Sequence, residues 1–161
     1  MKFSTIPVHG VSTTDERHKE AEGAHVPPIY QTSTFLFDDV AQGWKAFSTP
    51  DHAGSHIYTR ISNPNNNALE KAITALECYD LDAQEYTSLV FGTGMAAISS
   101  SIMALAKKGR VLAQDALYGC SSQLLFEQAP EWGIEATFID FTDVNAFEHA
   151  LMTHKDVKVV Y

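Results

Sequence analysis

A threonine between two glycines, at the start of a predicted helix, is the strongest chemical signal in this sequence. Gly92-Thr93-Gly94 follows a short apolar run (TSLVF, 87–91) that predicts a buried strand, and it precedes a helical segment (AAISSSIMALAKK, 96–108). Amide N–H groups at a helix N-terminus carry partial positive charge, and glycine lets a phosphate approach the backbone closely. The pattern therefore predicts an anion site, although a tight strand-to-helix turn without a ligand would use the same residues.

The same segment also fits the dinucleotide fingerprint G-x-G-x-x-A, through Gly92, Gly94 and Ala97. Asp115 lies at the end of the next predicted strand, where an acidic residue would bind a ribose. An NAD-binding domain is therefore an open alternative. Two points weaken it: the fingerprint usually follows the first strand of its domain, whereas about 85 residues precede it here, and it leaves Tyr58–Pro64 unexplained.

A second candidate is the tripeptide Tyr58-Thr59-Arg60, which precedes Ile61–Pro64. An arginine guanidinium binds a phosphate through two N–H groups, and a tyrosine hydroxyl can add another donor. From a loop, these groups could reach an anion. An exposed arginine beside a half-buried tyrosine, with no ligand, explains the same residues.

A third candidate, Asp115–Cys120, follows the predicted strand RVLAQ (110–114). Open parallel sheets bind ligands beyond the carboxyl ends of their strands. Tyr118 offers a flat face to an aromatic ring, and Cys120 lies near the N-terminus of the next predicted helix, a position that favours a thiolate. A small buried apolar side chain is the alternative interpretation of Cys120.

Other patterns do not indicate a site. His52 and His56 are four residues apart, but Gly54 disfavours the helix that would bring them together, so no metal site is predicted. The sequence contains no G-x-S-x-G and no P-loop motif. Lys107 and Lys108 fall in the last turn of a predicted helix and are expected to be solvated.

The elements that must position these residues alternate between strands and helices. Residues 110–161 contain, in order, the strand RVLAQ, the helix SSQLLFEQAPEWG, the strand IEATFID, the helix VNAFEHALMTH and the strand VKVVY. Such alternation with short connections predicts right-handed crossovers and a mostly parallel sheet. The predicted fold class is therefore α/β.

A further helix is predicted within NPNNNALEKAITALE (63–77). Asn65 or Asn66 is its expected N-cap. The helical spacing i, i+3, i+4, i+7 places four apolar residues on one face: Leu69, Ala72, Ile73 and Leu76. The helix at 96–108 is expected to end in a basic last turn followed by a C-terminal glycine, Gly109.

Residues 1–60 are different, because glycine and proline interrupt every candidate element while aromatic residues remain frequent. A long segment without its own core usually packs against something else. We expect it to pack on a partner subunit or on further sequence. Since the chain stops on the last residue of a predicted strand, Tyr161, we also expect it to be cut through a domain.

Composition narrows the class of protein. The 161 residues are enough for one domain, and 20 acidic against 11 basic residues give a net charge of -9. This balance argues against nucleic acid and anionic membranes as partners.

No apolar run approaches the roughly 20 residues that span a bilayer, and the first residues do not form a signal peptide. The two cysteines are too few for a disulfide scaffold, so the cytoplasm is the expected location.

Four motifs together resemble one family. GAHVPPIYQTSTF (23–35), YTRISNP (58–64), GTGMAAI (92–98) and LYGCS (117–121) occur in the order and spacing of the fold-type I enzymes of cysteine and methionine metabolism that depend on pyridoxal 5'-phosphate (PLP). Methionine γ-lyase, cystathionine γ-lyase, cystathionine γ-synthase and O-acetylhomoserine sulfhydrylase are members. The similarity covers essentially 1–161. It implies a truncated fold-type I transferase-like domain, with helices on both faces of a mostly parallel sheet and an extended N-terminal arm.

The resemblance also implies site residues. Two sets would hold the PLP phosphate: Tyr58, Thr59 and Arg60 across a subunit interface, and Thr93, Gly94 and Met95 within one subunit. The family usually has serine at position 93, and threonine keeps the hydroxyl donor. Tyr118 would stack on the pyridine ring and take part in proton transfer. Cys120 matches a cysteine near the substrate in methionine γ-lyases.

Assembly and activity follow from the same resemblance. Residues 1–60 would be the arm that wraps a partner subunit of a homotetramer (a dimer of dimers), and 61–161 an incomplete PLP-binding domain. The reaction would be γ-elimination or γ-replacement on a sulfur amino acid or an O-acylhomoserine. No lysine here has the family's Ser-x-Thr-Lys context, so the 161 residues are expected to be inactive alone. A non-catalytic, truncated assembly partner is the remaining alternative.

Overall fold

A computed structural model describes residue 3 and residues 26–49, 55–81 and 85–161. A division at Val90–Phe91 separates two compact units. This division concerns contacts within one chain, whereas the predicted arm (1–60) is defined by contacts with another subunit. The arm and the domain at 61–161 therefore stay predictions.

The described part of the first unit includes the helices α1 (Val40–Ser48) and α2 (Pro64–Glu77). α1 begins after Asp39, whose side chain accepts a hydrogen bond from the Gln42 amide at 2.7 Å. Such a cap satisfies one of the amides that a helix leaves unpaired at its start. Trp44 of α1 is 76% exposed, so the apolar face of this helix is not covered within the described part of the unit.

α2 begins after Asn63, with Pro64 at its first position. The prediction that Asn65 or Asn66 caps this helix is therefore wrong. Proline is favoured at the first helical position because its missing N–H would be unpaired there anyway, so the helix begins earlier than the apolar periodicity indicates. The helix itself is confirmed, but Leu69 on its apolar face is 49% exposed.

The predicted strand TSLVF (87–91) is wrong, since residues 86–91 are irregular. A strand needs a neighbouring strand to pair its backbone groups. Here the Val90 amide donates instead to the side chain of Glu70 at 3.0 Å, and Leu89 is 72% exposed. The apolar run therefore reaches the glycine turn as an irregular segment that pairs with no strand in the described residues.

The second unit holds the remaining elements, which alternate as predicted. They are α3 (Gly94–Ala106), β1 (Arg110–Gln114), α4 (Gly119–Gln123), a π-helical turn (Leu124–Gln128), a 3-10 helix (Ala129–Trp132), β2 (Glu135–Ile139), α5 (Val144–Thr153) and β3 (Val157–Val160). The segment predicted as one helix, SSQLLFEQAPEWG, changes its hydrogen bonding along its length because Pro130 has no N–H to donate.

The sheet is parallel, with the strand order β2-β1-β3. β1 lies in the centre, and its residues Val111, Leu112 and Ala113 are completely buried. A continuous apolar run is typical of a strand covered on both faces. The predicted α/β class and the mostly parallel sheet are confirmed.

One hydrophobic core joins α3 to β1 and to the helical segment that follows. Its buried members are Ile102, Ala106, Val111, Ala113, Leu124, Leu125, Ala129 and Ile134, and Met95, Leu117 and Tyr161 pack partly against it. The core therefore extends to the start of α3 and to the segment before α4, where the sequence predicts site residues. It also extends to the end of β3.

α3 ends at Ala106, so Lys107 and Lys108 lie beyond the helix and the predicted basic last turn is wrong. Lys107 and Lys108 adopt positive φ values of 37° and 63°, whereas Gly109 does not have a positive φ. A Cβ at Gly109 would lie 2.9 Å from the carbonyl oxygens of Ala106 and Asp156. Glycine is needed there because the chain passes close to other backbone, which is a different reason from the predicted one.

Candidate functional site

The N-terminus of α3 presents unpaired backbone donors. Thr93 is the N-cap, with extended backbone (φ -148°, ψ 155°), and its Oγ1 accepts from the Ala96 amide at 3.1 Å. The Thr93 carbonyl accepts from the Ala97 amide at 3.2 Å. The amides of Gly94 and Met95 have no acceptor within the helix, and no hydrogen bond within the described ranges uses them. Two N–H groups are therefore left at the positive end of the helix dipole.

The space in front of this turn is open. A Cβ built on Gly92 or Gly94 would meet no heavy atom within 4 Å, so neither glycine is required by packing against the rest of the chain. The Thr93 hydroxyl uses a lone pair for the cap and keeps its O–H as a donor. Three donors, from Thr93, Gly94 and Met95, thus surround a space that can admit a group bearing oxygen atoms.

Tyr118 and Cys120 lie on a turn that follows β1. Leu117 packs partly against the hydrophobic core, and Tyr118 precedes α4 with its side chain 74% exposed. The Tyr118 carbonyl accepts from the amides of Ser121 (2.9 Å) and Ser122 (3.1 Å). The backbone of the turn is therefore fixed while the phenol ring projects into solvent.

The side chains of Tyr118 and Cys120 interact with each other. A hydrogen bond to Cys120, strengthened by the negative charge of its thiolate, raises the pKa of Tyr118 above its ordinary value. Hydrogen bonding that stabilises the neutral form of an acid makes its proton harder to remove. The Tyr118 hydroxyl therefore keeps its proton over a wider pH range than a free tyrosine.

Asp115 lies just after β1 and is exposed. Its amide donates to the Ile139 carbonyl at 3.0 Å, which extends the pairing of β1 with β2. Its side chain is at the carboxyl end of the central strand, as the dinucleotide alternative requires. That alternative also needs a strand before the glycine turn, and residues 86–91 do not form one.

The Tyr58–Arg60 loop belongs to the first unit. Tyr58 makes an isolated antiparallel bridge with Thr34, and its carbonyl accepts from the amides of Ile61 (2.8 Å) and Ser62 (3.0 Å). The Arg60 guanidinium carbon lies 5.3 Å from the centre of the Tyr58 ring, within the range of a cation–π contact. The loop thus presents a phenol and an exposed guanidinium side by side.

Thr59 is held by hydrogen bonds to neighbouring segments. Its amide donates to the Ser33 carbonyl at 2.9 Å, its hydroxyl donates to the Thr32 carbonyl, and its Oγ1 accepts from Asn63 at 3.1 Å. Because its only hydroxyl proton is donated to the Thr32 carbonyl, its side chain has no donor left for a ligand.

The remaining candidates do not form a site in the described residues. His52 lies outside them, and His56 contacts the Ser62 hydroxyl through Nδ1 at 3.0 Å. Within residues 26–49, 55–81 and 85–161, no group of three His, Cys, Asp or Glu residues could hold a metal ion. No helix in the same ranges is long and apolar enough to cross a membrane.

The sequence matches the Cys/Met metabolism PLP-dependent enzyme family over residues 4–161. The chain belongs to this family. Its sequence is 38% identical over 144 residues to L-methionine gamma-lyase from Fusobacterium nucleatum subsp. polymorphum, covering 89% of this chain and 34% of that enzyme. It is 31% identical over 161 residues to cystathionine gamma-lyase from Bacillus subtilis, covering 100% of this chain and 37% of that enzyme.

A solved structure supports the fold. The crystal structure of an O-acetylhomoserine (thiol)-lyase from Campylobacter jejuni, which contains N'-pyridoxyl-lysine-5'-monophosphate, matches this chain with a TM-score of 0.80 at 23% identity. The match covers 99% of this chain and 36% of that one. The chain thus spans about a third of the length of the relatives that it matches.

The residues of this PLP-family chain fit the phosphate of the cofactor. A phosphate is an anion with several acceptor oxygens, and the start of α3 offers two unpaired amides, one hydroxyl proton and the helix dipole. The open space at Gly92 and Gly94 would let a phosphate approach the backbone. The chemistry of the donors therefore matches the cofactor that the family uses.

Sequence reasoning missed two buried polar residues, Asn63 and Ser121, which are 4% and 1% exposed. Ser121 Oγ lies 3.1 Å from the Tyr161 hydroxyl, and this contact links the Tyr118 turn to β3. Their positions gave a signal, because Asn63 lies in the motif YTRISNP (58–64) and Ser121 in the motif LYGCS (117–121), close to predicted site residues. Each is small and polar, however, and the sequence does not show that it is buried.

Proposed function

We propose that the protein carrying this chain is a PLP-dependent enzyme that eliminates or replaces the γ-substituent of a sulfur amino acid or an O-acylhomoserine, as a carbon–sulfur lyase or a sulfhydrylase. The observation that carries this proposal is the open set of donors at Thr93, Gly94 and Met95, within a chain that belongs to a PLP-dependent family. The names of the relatives, two of them gamma-lyases and one a thiol-lyase, support the class of substrate.

The start of α3 would bind the cofactor phosphate within its own subunit. Gly94 and Met95 would donate their amides, and Thr93 would donate its hydroxyl while it still caps the helix. When bound, PLP supplies an electron-withdrawing ring that stabilises negative charge next to the substrate's amino-bearing carbon. These donors fix the phosphate end of the cofactor, so the ring is held in one place relative to the protein.

Tyr58 and Arg60 would bind the phosphate of a neighbouring subunit, with Thr59 supporting them. Arg60 supplies two parallel N–H donors and a permanent charge, and Tyr58 supplies a hydroxyl. The cation–π contact between them, at 5.3 Å, supports this because it keeps both groups on one side of the loop.

Tyr118 would stack on the cofactor ring and hold a proton at its hydroxyl. Its exposed ring and its raised pKa support this role, because a protonated phenol can donate to a leaving group or to the substrate. Cys120 would lie at the substrate and would act by keeping the Tyr118 hydroxyl oriented and protonated.

The proposed assembly is a homotetramer built as a dimer of dimers, in which residues 1–60 pack on a partner subunit. The exposed apolar residues of α1, Val40, Trp44 and Phe47, support this because a surface of this kind usually marks an interaction site. The partners are further copies of this chain and a small amino acid, with no nucleic acid or membrane, and the proposed location is the cytoplasm.

The 161 residues would not turn over substrate alone. None of their lysines has the Ser-x-Thr-Lys context in which the family's resemblance places the lysine that binds the cofactor. A non-catalytic assembly role for this segment is the second candidate. A protein that remains a well-behaved monomer in sedimentation would argue against that candidate.

Cofactor retention by the complete protein tests the proposal. The wild-type protein should keep PLP through extensive dialysis and should release a thiol from methionine or consume O-acetylhomoserine with a thiol donor. Arg60→Ala should raise the dissociation constant for PLP about 10- to 100-fold, since a charge-assisted hydrogen bond contributes about 1.5–3 kcal/mol. Arg110→Lys, on the ion pairs between strands, is the matched control and should keep the cofactor.

One result would overturn the proposal, and a second would remove the role of the Tyr58–Arg60 loop. A folded wild-type protein that binds no PLP would exclude the enzyme class. An Arg60→Ala variant that retains PLP as well as the wild type would show that the Tyr58–Arg60 loop is not a phosphate ligand, while the turn at Thr93 would still be tested by its own variants.

A further inference from the structure

The buried side chain of Asn63 connects the start of α2 to the Tyr58–Arg60 loop. Its Oδ1 accepts from the Asn65 amide at 2.9 Å, which caps α2. Its Nδ2 donates to the Tyr30 carbonyl and to Thr59 Oγ1, both at 3.1 Å. Because an amide N–H can only donate and a carbonyl can only accept, these partners fix which end of the side-chain amide points where. Both donor hydrogens of Asn63 are used.

The contact with Thr59 is the consequential one. Thr59 stands between Tyr58 and Arg60, and its amide is already bound to Ser33 at 2.9 Å. Its hydroxyl proton is directed at Thr32, so its oxygen is left to accept from Asn63. The residue between the two proposed phosphate ligands is therefore tied at three points, and one of these ties comes from the start of α2.

The neighbouring asparagine strengthens the same connection without touching the loop. Asn65 accepts from the Tyr30 amide at 2.8 Å and donates to the Pro28 carbonyl at 2.7 Å. The segment near Tyr30 is thus held against the start of α2 by both asparagines. Of these two asparagines, and within the described residues, Asn63 is the one whose side chain extends the network to the Tyr58–Arg60 loop.

We propose that Asn63 is a positioning residue for phosphate recognition: by joining the start of α2 to Thr59, it holds Tyr58 and Arg60 in the arrangement that binds the phosphate. This inference rests on the proposed function of the loop. A loop held in its binding conformation before the ligand arrives loses less entropy on binding. Removing the contact should therefore weaken recognition of the phosphate group and leave recognition of the rest of the cofactor unchanged.

The experiment compares PLP with pyridoxal, which lacks the phosphate, on the complete apo-protein, with binding followed by visible absorbance. Asn63→Ser removes both donors but keeps a good helix N-cap, so its melting temperature should stay close to that of the wild type. We expect the dissociation constant for PLP to rise about tenfold, the effect of losing about one buried hydrogen bond. The dissociation constant for pyridoxal should not change.

Two further variants separate this role from a general loss of structure. Thr59→Val removes the acceptor at the other end of the contact and should give the same phosphate-selective loss. Thr59→Ser keeps the hydroxyl and should bind both compounds as the wild type does. If Asn63→Ser lowers the melting temperature strongly, the comparison of Thr59→Val with Thr59→Ser tests the positioning role instead, because neither change removes the cap of α2.

The outcomes distinguish this inference from the proposed function. If Arg60→Ala loses its preference for PLP over pyridoxal but Asn63→Ser and Thr59→Val keep theirs, the positioning role is wrong and the loop's function stands. If Arg60→Ala itself keeps the preference, the loop's function is wrong. Equal losses of both compounds in Asn63→Ser and Thr59→Val would show a merely structural role.

Discussion

The two regions proposed to bind phosphate are built in different ways. The turn at Thr93 offers backbone amides at the start of a 13-residue helix whose buried side chains belong to the main core. The Tyr58–Arg60 loop offers side chains and has one antiparallel bridge and a network of polar contacts around it. The first site is therefore a property of a helix end, whereas the second depends on which polar groups its neighbours provide.

This difference changes what a substitution does. A backbone donor cannot be removed by changing a side chain, but it can be blocked. A side-chain donor can be removed directly or displaced by loosening its support.

Blocking the backbone site should have the largest effect. Gly94→Asp places a carboxylate in the open space at the start of α3, where it would repel a phosphate. An acidic residue in the first turn stabilises a helix, so folding should be preserved. We expect the affinity for PLP to fall by more than about 100-fold, because the charge-assisted hydrogen bonds and the attraction of the helix dipole are lost together. Titration of the apo-protein with PLP measures this affinity.

Gly94→Ala is the control for that prediction. Its Cβ would meet no other heavy atom within 4 Å, so the protein should fold as stably as the wild type and should lose much less affinity than Gly94→Asp. Equal losses in the two variants would indicate that the space at Gly94, and not charge, decides the affinity, and would contradict the role of charge at this site.

The sequence predicted the first region far better than the second. The helix at 96–108 and the turn before it follow from apolar periodicity and two glycines, which are local signals. The loop depends on Asn63, whose partners at Tyr30 and Thr59 are 33 and 4 residues away. A pattern in the sequence cannot show which carbonyl lies within reach of a side chain.

Two of the wrong predictions, the strand TSLVF and the cap of α2, arose because each used only local signals. TSLVF has the composition of a strand, but a strand forms only where another strand pairs with it, and the Val90 amide binds Glu70 instead. The cap of α2 was placed at Asn65 or Asn66 because both precede the apolar positions, whereas Pro64 lets the helix begin at once. In contrast, the pattern of apolar residues within a short stretch of sequence is enough to predict four other elements: β1, β2, β3 and α5.

Removing the Thr93 hydroxyl should have the next largest effect. Thr93→Ala removes the cap to Ala96 and one phosphate donor, so we expect about 1 kcal/mol less stability and about tenfold weaker PLP binding. Thr93→Ser should restore both. Melting temperature and cofactor titration measure the two effects separately, and an alanine variant that keeps wild-type affinity would remove Thr93 from the site.

The pH dependence of Tyr118 provides a smaller and more selective test. Since a hydrogen bond to Cys120 raises the pKa of Tyr118, Cys120→Ala should lower that pKa toward its ordinary value. The phenolate would then form at a lower pH than in the wild type. An absorbance titration, with Tyr118→Phe to identify this residue among six tyrosines, measures the change, and an unaltered titration would contradict the contact.

The smallest effect concerns the sheet that supports the second unit. Arg110 of β1 binds Asp156 at 3.1 Å and also pairs with Glu135, so it joins β1 to β2 and to the turn that precedes β3. The hydrogen bond with Arg110 lowers the pKa of Asp156. Its stabilisation is therefore present above the ordinary carboxyl pKa and is lost as the pH falls through the lowered value.

Asp156→Asn should accordingly make stability less sensitive to acid, with little effect near neutral pH because exposed ion pairs contribute little. Denaturant unfolding at several pH values measures this. Cofactor binding should not change. A variant that loses PLP at neutral pH would show that the sheet and the turn at Thr93 are more strongly linked than their separate contacts indicate.

A crystal structure of the complete protein with PLP would show directly whether the unpaired donors at the start of α3 bind the cofactor phosphate. We predict phosphate oxygens within about 2.7–3.2 Å of the Gly94 and Met95 amides and close to the Thr93 hydroxyl. Arg60 of another subunit should complete the site. A phosphate bound elsewhere, with the Gly94 and Met95 amides still unpaired, would contradict the account.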